Sequence, residues 1–285
     1  MMGTVRLDDV MLAVLGVQAW VGLSLSCPTP ASAQALVWTQ RHASGPWPES
    51  TDSMAYDEAR GVVVLIKYDP TSANVQVHEW NGVTWAHRNA TGPTRRYRPA
   101  VAFDAGRRVV VLFGGLTGNT RDGQTWEWNG INWTPRVVSG PSPRSDASMV
   151  YDSARRVIVL FGGFTGAGPG APNSETWEWD GTTWTQRAVT NPPPREVAAM
   201  TYDVARGKTV LFGGSNLFTF RSDTWEWDGT TWTQRSSTGP TRRYAHAMAY
   251  DPRRGASVLF GGVAYDGVAG EMRDNGETWE WNGSS

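Results

Sequence analysis

Five glutamates recur in one sequence setting: Glu79, Glu127, Glu178, Glu226 and Glu280 are each followed by Trp and then by Asn-Gly or Asp-Gly. Glycoside hydrolysis needs two carboxylates placed differently, with separated pKa values. Five equivalent copies lack that inequality, so a structural pairing in every repeat is expected. Asp57, Asp104, Asp152, Asp203 and Asp251 also recur and suit turn capping. Arginine is the better candidate for recognition. Arg96, Arg144, Arg195 and Arg243 each lie seven residues before a repeated aromatic position, with Glu49 in the first copy. Guanidinium forks match carboxylates bidentately. This set, with Tyr97 and Tyr244, is therefore the candidate site for an anionic or sugar-like ligand. The competing reading ties each arginine to loop carbonyls or a neighbouring carboxylate. His42, His78, His87 and His246 show no metal-ligand spacing, and His246 is expected to be structural. No catalytic residue, metal site or cofactor is read from the chain.

The elements that position these residues come from one repeat. Met54-Ala55-Tyr56-Asp57 returns with its aromatic at Phe103, Tyr151, Tyr202 and Tyr250, in steps of 47, 48, 51 and 48 residues. An apolar run follows, such as Val109-Val110-Val111-Leu112-Phe113, and suits a strand covered on both faces. Gly-Gly ends it in four copies; the first has Lys67-Tyr68 there. Then comes Thr125-Trp126-Glu127-Trp128-Asn129-Gly130 and its equivalents, a strong hairpin signal. A two-residue hairpin would set Trp128 opposite Ile131 and Trp126 opposite Trp133. The tryptophans would share one face, with Glu127 and Asn132 on the other. Aromatic packing between repeats is the expected role of Trp, which numbers 16.

Four strands per unit, Gly-Gly after the second and an aromatic-Asp/Asn step after the third, resemble the Kelch repeat over roughly residues 37–283. The resemblance implies an all-β, Kelch-type β-propeller of five four-stranded blades around a channel. The blades would span about 50–88, 97–136, 145–187, 196–235 and 244–283 plus 36–41. Val37-Trp38-Thr39-Gln40-Arg41 matches Thr183-Trp184-Thr185-Gln186-Arg187, so the N-terminal strand is expected to complete the last blade. A piece of a six- or seven-bladed propeller is the rival. Galactose oxidase shares the architecture, but its copper site needs a Cys crosslinked to Tyr; Cys27 is the single cysteine here and falls within the leader. That activity is not implied.

Residues 1–35 read as a signal peptide, with an apolar stretch from Val10 to Ser26 and small residues around Ala33. An uncleaved anchor is the alternative, though 17 residues are short for a membrane span. Cleavage removes Arg6, Asp8 and Asp9 and leaves acidic and basic residues in balance. The formal net charge of −1 gives no field to draw nucleic acid. Hydrophobic residues at 40% supply a core. The second-to-third loops (69–76, 116–124, 164–175, 215–223, 263–277) vary, and binding residues concentrate on variable loops held by a rigid frame. The expectation is a secreted or periplasmic monomer that binds a protein or glycan through that face, without nucleic acid or membrane beyond the export signal. A polysaccharide hydrolase or lyase, or one module of a cell-surface assembly, are the alternatives.

Overall fold

The apolar runs form the second strands of a repeated antiparallel sheet, buried along most of their length. The computed structural model describes residues 45–46, 52–166, 172–217, 219–267 and 270–284. The leader, the 36–41 segment, Cys27, His42 and Glu49 lie outside the described residues. The first sheet holds Ser53–Asp57, Val62–Lys67, Gln76–Trp80 and Trp85–Arg88. The second holds Ala100–Asp104, Val109–Phe113, Thr125–Trp128 and Trp133–Arg136. The third holds Ser148–Asp152, Val157–Phe161, Thr176–Trp179 and Trp184–Arg187; the fourth holds Ala199–Asp203, Lys208–Phe212, Thr224–Trp227 and Trp232–Ser236. The fifth has three strands among the described residues: Ala247–Asp251, Ala256–Phe260 and Thr278–Trp281. The described chain is all-β, with no helix.

Neighbouring sheets pack face to face in chain order. Val64, Ile66 and Val77 of the first sheet meet Trp128 and Trp133 of the second, and three similar clusters follow. The first strands stand side by side and are the inner ones. Trp128, Trp179 and Trp227 are 0–1% exposed, so each carries its full hydrophobic weight between two sheets.

One sequence expectation is corrected. Trp128 pairs with Trp133, not Ile131, and Trp126 pairs with Pro135. The loop holds four residues because the Asn129 side chain builds it: its Oδ1 accepts the N–H groups of Ile131 and Asn132 at 2.9 and 2.8 Å. Gly130 takes φ 95°, where a side chain would be strained. The shift is two residues, so each side chain keeps its expected face. The tryptophans still pack together, Trp128 lying 5.5 Å from Trp133.

The glutamates fill the opposite face. Glu79 accepts from Arg60 at 2.7 Å, Arg88 at 2.8 Å and the Trp128 indole of the next sheet at 3.1 Å. Glu127, Glu178 and Glu226 repeat the arrangement. Burial works against the charge of Glu79, but the bonds from Arg60, Trp128 and Arg88 hold its carboxyl below the usual range.

Candidate functional site

The arginine set does not face a ligand. Arg96, Arg144, Arg195 and Arg243 are 0–1% exposed. Each folds onto its own sheet, donating to a glycine carbonyl: Gly114, Gly162 and Gly213 at 3.0 Å, and Gly261 at 3.1 Å. Each Nε donates two residues back, to the carbonyls of Thr94, Ser142, Pro193 and Thr241. A loop acid completes each site: Asp122 at 3.2 Å, Glu175 at 2.6 Å, Asp223 at 2.8 Å and Glu277 at 2.6 Å. The carbonyls of Arg144, Arg195 and Arg243 in turn accept from Gly115, Gly163 and Gly214 of the preceding sheet. The side chains brace their own sheets, and the backbone carbonyls of the same residues link sheet to sheet. The expectation that they bind an anion is corrected, because enclosed donors already committed to the protein offer a ligand nothing.

Tyr97 and Tyr244 stay at the loop face as halves of aromatic pairs. Tyr97 stacks on Tyr68 with ring centroids 3.7 Å apart, and Tyr244 on Phe220 at 5.3 Å. Tyr68 occupies the position where the other copies have a glycine, so this pair is peculiar to the first and second sheets.

Two residues beyond each buried arginine the chain turns left-handed without glycine. Arg98, Asp146, Val197 and Ala245 have φ of 51, 60, 53 and 55°. Strained backbone of this kind persists only where its surroundings hold it. Here the hold is a girdle of backbone hydrogen bonds. Asp146 donates to Arg98, Val197 to Asp146 and Ala245 to Val197, at 3.2, 3.1 and 3.1 Å. The girdle lies where the inner strands begin, and its side chains are unequal. Arg98 is 54% exposed and reaches Asp146 at 3.3 Å; the Asp146 side chain is only 9% exposed. Ser145 Oγ donates to the same carboxylate at 2.8 Å.

Glu196 is half-buried beside them. Burial, and then the charge of Asp146, push its carboxyl up against the opposing pull of Arg98 and Arg121. The Arg121 guanidinium lies 4.2 Å over the Phe164 ring. The exposed Arg98 cation, the Asp146 side chain and the upshifted Glu196 carboxyl thus lie within electrostatic reach of one another. Such a group offers donors and acceptors together, as polyhydroxylated ligands require. Sequence reasoning missed Arg98, Asp146 and Glu196. The available signal was local loss of the repeat: Arg, Asp, Val and Ala at one position that follows an invariant-looking Arg within this chain.

The opposite end of the inner strands opens into a cavity of about 480 Å³ with a mixed polar and apolar lining. All five inner strands line it, with Met54, Val101, Met149, Met200 and Met248 at equivalent positions. His246 is 8% exposed and packs edge-on against Phe212 at 5.4 Å. Burial and the Arg243 charge push it down to about 3, which keeps the ring neutral. Among the described residues no cluster of three or more His, Cys, Asp or Glu could hold a metal ion. No described helix is long and apolar enough to cross a membrane.

No family model matches the chain, and no curated protein does either. A solved structure, that of YjhT, is similar at a TM-score of 0.66, covering 86% of this chain and 85% of that chain at 14% sequence identity. At that identity the likeness establishes the fold alone: a β-propeller-like arrangement of antiparallel sheets.

Proposed function

We propose that this chain is a secreted Kelch-type binding scaffold, its five sheets closed into one ring, that recognises a carbohydrate through the face bearing the variable loops. One observation carries the reading: the polar side chains that break the repeat, Arg98, Asp146 and Glu196, gather where the inner strands begin. Few convergent polar groups beside aromatic surface are the usual make-up of a ligand site. The ring is supported by the single cavity that all five inner strands line. A glycan array tests the function. Binding that Arg98→Ala weakens at least tenfold, with thermal stability kept, is the expected result. Binding untouched by Arg98→Ala and by Glu196→Gln overturns the site.

Glu196 favours a second reading, hydrolysis of a polysaccharide. Burial and the charge of Asp146 shift the Glu196 carboxyl upward, the direction that a glycosidic general acid requires. Release of reducing ends from a bound glycan, lost in Glu196→Gln, separates this reading from pure binding.

A further inference from the structure

The cavity at the far end of the inner strands is a separate site, on the face opposite the girdle. Its volume, about 480 Å³, falls in the range of small-molecule pockets. Its deeper level is thioether and aliphatic: Met54, Met149, Met200 and Met248 stand at equivalent positions, with Val101 completing the set. Met200 and Met248 are buried, whereas Met54 and Met149 are half-buried. Methionine is unbranched and polarisable, so such a wall adapts to apolar chains of varied shape. The polar part of the lining comes from the rim.

That rim is built from the turns between first and second strands, and it breaks the repeat. The residue after the repeated Asp is Glu58, Ala105, Ser153, Val204 and Pro252 in turn, and all five line the cavity. Val204 is 41% exposed, a bare apolar edge on the fourth sheet. Four residues after the same Asp, the backbone is left-handed in every sheet. Gly61, Gly207 and Gly255 take φ of 66, 63 and 63°, and a Cβ on Gly61 or Gly255 would meet nothing within 4 Å. On the second and third sheets the residue is arginine instead: Arg108 and Arg156 hold φ of 56 and 57°. Glycine would serve the backbone better. Strain of this kind marks positions where the side chain has another task.

Neither guanidinium is spent on the protein. Arg107 and Arg155, one residue earlier, pair with Glu127 and Glu178. Among the described residues no ion pair claims Arg108 or Arg156, and both are exposed. Arg108 lines the cavity, and the Arg156 charge reaches Tyr151 in its wall. We propose that this cavity binds a free, medium-chain aliphatic carboxylate, its chain among the methionines and its head on Arg108 and Arg156. Guanidinium forks match a carboxylate, and a cavity of this size encloses a single chain rather than a bilayer. Glu58 stands on the rim of the first sheet, its carboxyl pushed up by burial and by Asp57. An anionic head avoids it, which sets the head over the second and third sheets. The site is apart from the girdle and does not depend on glycan binding there.

Titration calorimetry of the full chain with hexanoate, octanoate and decanoate, each below its aggregation concentration, tests the site. Affinity is expected to rise by up to about fourfold per added methylene, and decylamine to bind far more weakly than decanoate. Arg108→Gly is expected to weaken decanoate about fivefold or more, while the thermal unfolding midpoint holds or rises. Val204→Asp, on the exposed edge, is expected to weaken decanoate with the midpoint kept. No decanoate binding, or affinity indifferent to chain length, overturns the cavity. Decylamine binding as tightly as decanoate, or decanoate indifferent to Arg108→Gly/Arg156→Gly, overturns the cationic mouth. A midpoint lowered by Arg108→Gly gives the arginine a structural task and overturns its role here. Binding to phosphatidylglycerol vesicles without uptake of decanoate overturns the proposal in favour of a membrane surface.

Discussion

Replacing Glu79 with alanine removes an acceptor on which three donors converge, and the cost follows from their geometry. The Trp128 indole is buried, and a bond to a charged acceptor in such a place is worth about 1.5–3 kcal/mol. Arg60 and Arg88 keep 30% and 45% of their side chains in water, so screening reduces each of those pairs to about 0.2–1 kcal/mol. The sum is about 2–5 kcal/mol, below the upper range for breaking a fully buried pair. At about 2–4 °C per kcal/mol for a chain of this size, the midpoint should drop by about 4 °C or more. Glu79→Gln keeps an acceptor for the indole and should lose about half as much. The pH dependence fixes the sign. The folded carboxyl sits below its ordinary value of 4.5, so its contribution is full above that value and fades as pH falls through the folded pKa. Urea unfolding of wild type and both variants from pH 7 to pH 3 measures this. A Glu79→Ala cost under about 0.5 kcal/mol, or a gap between wild type and Glu79→Gln that widens in acid, refutes the reasoning.

Other perturbations test separate parts of the frame. Trp133 Nε1 has no described partner because Val77 stands where Thr125 and Thr176 serve the next two sheets; Val77→Thr should stabilise by about 0.5–1.5 kcal/mol in urea unfolding. Gly162 and Gly255 both have positive φ, but a Cβ would strike the Arg195 carbonyl only at Gly162, at 2.5 Å. Gly255→Ala should therefore cost about 1–2 kcal/mol in thermal unfolding, and Gly162→Ala distinctly more. His246 is held neutral, down to about 3 from an ordinary 6.5. Stability should be full above that ordinary value and fall below it, by up to about 1.4 kcal/mol per pH unit. His246→Phe should flatten this acid limb in pH-dependent unfolding.

The strands were legible because their signals are local. An unbroken apolar run, a glycine pair and an Asn-Gly step each restrict the backbone within a few residues. Hairpin register was less legible, since Asn129 spends its side chain on the loop and lengthens it by two residues. The arginines misled for a different reason. Type and spacing announce that a guanidinium recurs, but not whether it points into the frame or out of it. The acids that claim these groups were the missing clue. Glu175, Asp223 and Glu277 directly precede their third strand, whereas Gln124 takes that place in the second sheet and Asp122 answers from two residues earlier. A partner set that shifts its offset is invisible to repeat alignment and plain in space.

That division has a consequence for where recognition can reside. A feature present in every sheet is surrounded by copies of itself, and a wheel of identical contacts offers a ligand no preferred orientation. Glu79, Glu127, Glu178 and Glu226, the four loop arginines, and Trp128, Trp179 and Trp227 are also enclosed, their donors and acceptors committed within the protein. Departures from the repeat meet neither restriction. Lys67-Tyr68 replaces the glycine pair and brings Tyr68 onto Tyr97. The girdle position reads Arg98, Asp146, Val197 and Ala245, charged at the second and third sheets and apolar at the fourth and fifth. Orientation requires such asymmetry, and it runs from the first sheet to Glu196 at the start of the fourth. A ligand should therefore lie off-centre, over Tyr97, Arg98 and Asp146. Substitutions around Ala245 should matter less for binding than equally drastic ones at Arg98.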